Sequence, residues 1–239
     1  MCLRAFVAKN IRNLAIQMPH ILIVAATPYE VQPLLEKYSI ILTGDGLVES
    51  YVSDTRMLSV LITGVGMVNT AYQLGRNSHT IYDAIINVGI CGAFDRHLKL
   101  GQVVNVTKDE LCEMGAEDGD EFIKYKDLEL SGTSMYDNKW IMRSKEIAEL
   151  KTVKGITVNK VHGNEESIER VKKLFSPEVE SMEGAAFFAA CKGVSNYTQI
   201  RAVSNYVEKR DKSKWEIKLA VSNLNAKVLN ILTELFERY

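Results

Sequence analysis

The chain has 239 residues, 46% hydrophobic and 25% charged, a composition that supports a full buried core. Its 29 Lys and Arg against 30 Asp and Glu leave a net charge of −1, without the basic bias of a nucleic-acid binder. No apolar stretch approaches the ~18–20 residues that span a membrane, so neither nucleic acid nor membrane is an expected partner.

Residues 1–17 carry Arg4, Lys9 and Arg12 and no acid. They read as a poorly ordered extension ahead of a single domain over residues 18–239, with a short amphipathic anchor as the alternative. His20 to Ala26 is a short apolar run that reads as a buried parallel strand. Thr27-Pro28 then opens a helix, because Thr caps and Pro suits the first turn. Glu30 falls in that turn, at the strand's carboxyl end. Residues 47–53 and 57–63 read as strands, Gly64-Val65-Gly66 as a turn, and 67–80 as a helix. Ala84 to Val88 is a buried strand ending in Gly89-Ile90-Cys91-Gly92-Ala93. A further strand covers 101–106, and the acidic stretch 108–124, poor in apolar anchors, reads as a long surface loop. A helix is expected over 138–150, a strand over 152–161 and a helix over 164–175. A strand over 178–182, a helix over 184–192 and a strand over 197–203 follow. After a charged loop from Glu208 to Lys214, an amphipathic helix runs to the C-terminus, with Ile217, Val221, Leu224, Val228, Ile231, Leu232 and Leu235 on its core face.

This alternation predicts an α/β fold of three layers, α/β/α, around a twisted, largely parallel (mixed) central sheet. Ligands of such sheets sit at the carboxyl ends of the strands, where Ala26, Gly64, Gly89, Met182 and Ser204 lie. Cys2, Cys91, Cys112 and Cys191 are scattered, with no CxxC pair and no neighbouring His, so no metal is expected. Cys191 reads as a core residue, and reduced thiols in a cytoplasmic setting are the expectation.

The spacing of Glu180-Ser181-Met182-Glu183 to Ser204-Asn205 brings Glu183 and Asn205 to one edge of the sheet. A carboxylate can hold two vicinal hydroxyls of a sugar. An amide can donate to a carbonyl and accept from an N–H, which suits the O6/N7 edge of a 6-oxopurine. Each residue also has a plain reading: Glu183 as a helix cap with Met182 in the core, Asn205 as a turn residue.

At these residues the chain resembles the purine and uridine nucleoside phosphorylase family, in particular its hydrolytic branch. The first strand with Glu30, Thr63-Gly64-Val65-Gly66, Asn87-Val88-Gly89-Ile90-Cys91-Gly92 and Met182-Glu183 match in order. Gln199 to Glu208, with Arg210-Asp211, is most similar to the futalosine hydrolases of that branch. The resemblance implies a nucleoside phosphorylase-like fold and hydrolysis of futalosine to hypoxanthine and dehypoxanthine futalosine in menaquinone biosynthesis. It also implies a homo-oligomer, a dimer or larger. The reaction needs a nucleoside and water and no cofactor.

In this reading Glu30 is the base that activates water, and its plain alternative is a first-turn acid placed by the helix dipole. Glu183 holds the ribose hydroxyls and Met182 packs on the ribose face. Asn205 holds the departing base, and Ile90, Cys91 and Gly92 line the purine edge. Glu180 is a further substrate-binding candidate. Lys209 and Arg210, beside Tyr206 and Trp215, offer charge to a carboxyphenyl 5′ substituent, or form a solvated charge run. His97 and His162 look isolated and receive no role. Methylthioadenosine/S-adenosylhomocysteine nucleosidases carry Asp where Asn205 stands, which is the departure that favours a 6-oxopurine over adenine. Such a nucleosidase, a 6-oxopurine nucleoside phosphorylase and a silent nucleoside-binding protein are the alternatives.

Overall fold

A computed structural model describes residues 18–44, 46 and 48–238; the extension expected over residues 1–17, with Cys2, lies outside them. The apolar run after Pro19 forms β1 (His20–Ala25), and Thr27-Pro28 starts α1 (Pro28–Tyr38). They are followed by β2 (Val48–Val52), β3 (Met57–Ile62), α2 (Met67–Arg76), β4 (Ala84–Ala93) and β5 (Val103–Leu111). A hairpin of β6 (Gly115–Asp118) and β7 (Glu121–Lys124) leads to β8 (Met135–Asp137) and α3 (Lys145–Ala148). The chain closes with β9 (Lys151–Thr157), α4 (Glu165–Phe175), β10 (Val179–Ser181), α5 (Gly184–Ala190), β11 (Tyr197–Tyr206) and α6 (Ile217–Phe236).

The main sheet runs β10-β9-β5-β11-β4-β1-β3-β2, with β8 on β5. β1 lies parallel between β3 and β4, and β11 lies parallel to β4. β5 runs antiparallel to β11, and β2 antiparallel to β3. The last residues of β4, Gly92 and Ala93, also pair antiparallel with β10. Because β10 pairs with β9, and β9 with β5, the strands β4, β11, β5, β9 and β10 close into a ring. Cys91, Ala93, Val104, Val106, Val153, Val179 and Val203 draw on every strand of that ring and form one buried cluster.

Alternation along β1 divides the core around it between two layers. Ile21, Ile23 and Ala25 pack with Val31 and Leu34 of α1 and with Leu224, Val228, Ile231 and Leu232 of α6. Leu22 and Val24 pack with Leu74 of α2 and with Phe187 and Phe188 of α5. The result is the expected three-layer α/β/α arrangement. Among the described residues, no helix is long and apolar enough to cross a membrane.

Several boundaries differ from the sequence reading, for identifiable reasons. Residues 108–124 are not a surface loop: β5 continues to Leu111, and the β6–β7 hairpin follows. Asp109 and Glu110 are buried in that strand, where Thr157 Oγ1 donates to Asp109 at 2.7 Å and Lys154 Nζ lies 3.5 Å from Glu110. Polar partners on β9, rather than apolar burial, hold this end of the strand, so its low apolar content misleads. The helix expected over 138–150 shrinks to the single turn of α3. Asn196 Oδ1 accepts from the backbone N–H of Ile141 and of Met142, each at 3.1 Å, and Lys139 bridges to Tyr197, which keeps the chain extended there. β4 runs straight through Gly89 to Ala93, β11 reaches Tyr206, and α2 stops at Arg76.

Leu232 is fully buried on α6, whereas Ile81 is 90% exposed. Leu232→Ala is expected to cost about 2–5 kcal/mol in denaturant unfolding, and Ile81→Ala less than about 0.5 kcal/mol. Equal costs would contradict the assignment of the α6 core face.

Candidate active site

A cavity of about 370 Å³ opens at the carboxyl ends of β1, β4, β10 and β11. Its wall brings together Glu30, Ile90, Cys91, Gly92, Glu180, Met182, Glu183 and Asn205, residues far apart in the chain. Tyr29, Val65, Val161, His162, Trp215 and Ile217 add to it.

Glu30 sits in the first turn of α1, where the capping position aims its side chain back at the strand end. Its Oε2 accepts from Thr27 N at 3.0 Å and Thr27 Oγ1 at 3.2 Å, and its Oε1 accepts from Ile90 N at 3.1 Å. Burial pushes the Glu30 carboxyl above the usual glutamate range; Arg201 pulls it back, and Glu183 adds to the rise. Glu183 follows β10 at the start of α5. Its Oε1 accepts from Gly66 N at 3.1 Å, in the turn before α2, and its Oε2 lies 3.5 Å from Arg201 Nη1.

Arg201 is the organising residue that the sequence reading passed over. It is 1% exposed, and among the described residues it is the only buried Lys or Arg. Its Nη2 donates to Asn87 Oδ1 at 2.6 Å and its Nε to Gln199 Oε1 at 2.7 Å. Gln199 Nε2 donates in turn to Asp109 Oδ2 at 3.0 Å, and Thr157 Oγ1 donates to Asp109 Oδ1 while accepting from Ala185 N. This chain links β4, β11, β5, β9 and α5. Burial pushes Asp109 up to about 6, against the opposing pull of those hydrogen bonds and of Arg201. A Cβ on Gly89 would stand 2.2 Å from Arg201 Nη1 and 2.7 Å from Glu30 Oε1, so the close approach of cation and acid requires glycine there. The missed signal is a charge inside an otherwise apolar strand, Ile200-Arg201-Ala202-Val203.

Asn205 lies within β11 rather than beyond it. The β11–β4 register shifts between Val203 and Asn205, leaving Ser204 as a bulge, and bulges re-aim the side chains beside them. Ser204 Oγ donates to Asn205 Oδ1 at 2.8 Å, and Asn205 Nδ2 donates to Tyr206 O at 3.0 Å. These contacts fix the amide's orientation and leave one lone pair and one N–H for a ligand. Cys91 lines the same wall, and burial pushes its thiol up to about 12, so it serves as a small neutral surface.

Glu180 is committed differently from Glu183. Its Oε1 accepts from His162 N at 3.1 Å, and its Oε2 lies 2.6 Å from His162 Nδ1. His162 is therefore not isolated, as its sequence neighbours suggested; β10 delivers a partner from 18 residues away. Lys209 lines a separate surface hollow with Arg96 and Lys172 instead of the cavity. Arg210 also lies off the cavity wall and stacks on Trp215, 4.9 Å from the ring centroid. Trp215 does line the cavity. Together these groups can orient a polyol, polarise a water and read a heterocycle edge.

Removal of the guanidinium leaves buried carboxylates uncompensated. Arg201→Met is expected to lower stability by about 3–5 kcal/mol at neutral pH. Without the cation the folded-state acids titrate higher still, so the folded state takes up protons at a pH where the unfolded chain does not. The deficit should therefore shrink as pH falls from 8 toward 5. Urea melts across that range check this, and a constant deficit would contradict it.

The Phosphorylase superfamily sequence profile matches residues 20–237. The chain is 30% identical over 183 residues to futalosine hydrolase of Thermus thermophilus, covering 73% of this chain and 80% of that protein. A 5′-methylthioadenosine/S-adenosylhomocysteine nucleosidase of Helicobacter pylori superposes with a TM-score of 0.76 at 15% identity, over 91% of this chain and 99% of its own. Futalosine hydrolase of H. pylori superposes with a TM-score of 0.75 at 14% identity, over 91% of this chain and 98% of its own. At these identities the superpositions speak to the fold.

Proposed function

The chain belongs to the Phosphorylase superfamily, and from that premise we propose that it is a purine-nucleoside N-ribohydrolase whose substrate is futalosine, released as hypoxanthine and dehypoxanthine futalosine. It is an enzyme that hydrolyses N-glycosyl bonds. The observation that carries the 6-oxopurine reading is the neutral amide of Asn205, pinned on the cavity wall.

As the C1′–N9 bond breaks, the ribose becomes cation-like and the purine leaves with the electron pair. Asn205 Nδ2 donates to O6 and its carbonyl accepts from N7–H. The amide has no titratable proton, so it holds the N7-protonated base rather than protonating it. Adenine offers an amino group where hypoxanthine offers O6, and a mismatched buried edge costs roughly 1–3 kcal/mol per unpaired group. Glu183 accepts from the 2′ and 3′ hydroxyls, and its charge favours the cation-like ribose. Water adds to C1′ as Glu30 takes its proton and later returns it to solvent, while solvent supplies the one proton that N7 of the departing base takes up, so the protons balance. Glu30 acts as a base only when ionised, so turnover falls on the acid side, at a pH above the ordinary glutamate range.

Hydrolysis is favoured over phosphorolysis by charge. Glu30, Glu180 and Glu183 line the cavity, and its described lining contains no Lys or Arg, so phosphate meets anions there. Tyr29, Val65, Trp215 and Ile217 supply an apolar wall for the 5′ substituent. Nucleoside and water are the partners this chemistry uses, in a cytoplasmic pathway to menaquinone. The superposition on methylthioadenosine nucleosidases favours one second reading, hydrolysis of an adenine nucleoside in the same site.

Incubation with futalosine, inosine and methylthioadenosine, without and with phosphate, decides between them. Phosphate-independent release of hypoxanthine from futalosine is expected; release of ribose 1-phosphate, or of adenine alone, would contradict the reading. Glu30→Gln should lower kcat by about 10²–10⁴-fold while hypoxanthine binding persists. Asn205→Asp should move preference toward adenine nucleosides, and unchanged relative rates would sink the amide argument.

A further inference from the structure

One polar group on the cavity wall is left without a part in this chemistry. His162 Nδ1 lies 2.6 Å from Glu180 Oε2; the Glu180 side chain is buried, 4% exposed, and that of His162 partly buried, 14% exposed. The backbone N–H of His162 donates to the other Glu180 oxygen, and Phe94 meets the ring edge-on at 6.0 Å between centroids. A carboxylate accepts hydrogen bonds and donates none, so the neutral imidazole carries its proton on Nδ1. Nε2 is then an acceptor, on a ring that lines the cavity.

Resting on the nucleosidase reading above, we propose that His162 Nε2 accepts the N1–H of the 6-oxopurine, and that Glu180 is a positioning residue that fixes the tautomer making this possible. Gly92 gives the placement. The site of its missing Cβ is 3.3 Å from Asn205 Nδ2 and 3.5 Å from Glu180 Cγ, so the two side chains flank it. Around a purine the polar edge runs from N7 through O6 to N1. A base with N7 and O6 on Asn205 therefore turns N1 toward Glu180 and His162. Hypoxanthine presents a donor at N1. Adenine presents a lone pair there, which faces the lone pair of Nε2 and leaves both unsatisfied in a buried site. The pair is thus a second filter for the oxo base, acting at N1 while Asn205 acts at O6 and N7, and it assigns Glu180 to base selection.

Glu180→Gln tests it. The glutamine carbonyl keeps the His162 backbone N–H, and its NH₂ donates to Nδ1, which moves the ring proton to Nε2. Wild type and variant are compared by kcat/KM for inosine and adenosine, and separately by calorimetric binding of hypoxanthine and adenine. The hypoxanthine-to-adenine preference is expected to swing toward adenine by about tenfold or more, with adenine binding retained or raised. A merely structural role would weaken both bases together. An unchanged ratio, or parallel loss of both, would overturn the proposal. His162→Phe keeps the ring and removes its nitrogens; it should weaken hypoxanthine and spare adenine, and equal losses would again overturn it. Free-base binding reads the pair even if no nucleoside is hydrolysed, so a failure of the catalytic reading is seen separately in the turnover arm.

Discussion

A single guanidinium, held dry, fixes the geometry of this site. Arg201 is the only buried cation among the described residues, yet Glu30, Asp109, Glu180 and Glu183 are buried around the same strand ends. An isolated carboxylate in such surroundings would go neutral. Arg201 opposes that for Glu30 and for Asp109, and it lies within 3.5 Å of Glu183. Its hydrogen bonds to Asn87 and Gln199 lock it to β4 and to its own strand. The surrounding acids are thereby held in place by a framework rather than by solvent, which is the preorganisation that stabilising a cation-like ribose calls for.

The framework also explains a division of labour along the cavity. Around the guanidinium, where the proposed mode puts the sugar, charge dominates: Glu30 and Glu183 flank it, with Gly89 leaving room for the close approach. Where the same mode puts the base, neutral groups meet it. The Asn205 amide is pinned by Ser204 and Tyr206, and the Cys91 thiol is kept protonated by burial. The Ser204 bulge lies between Arg201, which is turned into the buried network, and Asn205, which lines the cavity, four residues apart on one strand. A nucleoside has the matching polarity, with a cation-forming sugar beside a neutral heterocycle.

The sequence made the parallel strands and their carboxyl ends legible, because buried strands such as His20 to Ala25 are continuous apolar runs. Glu30, Glu183 and Asn205 were legible as residues at those ends. Arg201 was not, since one charge within an apolar strand gives no period to detect; only the fold brings Asn87 of β4 and Glu183 at the start of α5 to it. His162 and Glu180 were hidden for a similar reason, as their pairing depends on β10 folding back beside the loop after β9. The buried end of β5 was misjudged because Asp109 and Glu110 are satisfied by hydrogen bonds that composition does not reveal. Lys209 and Arg210 showed charge but not direction, and one of them faces a different hollow.

The most direct test of the account is a crystal structure of the protein soaked with hypoxanthine. The expected result is a purine ring with O6 and N7 about 3 Å from the Asn205 amide, and with an ordered water on Glu30 at the opposite side of the sugar site. A ring seated away from residue 205, with Asn205 still bonded only to Ser204 and Tyr206, would contradict it.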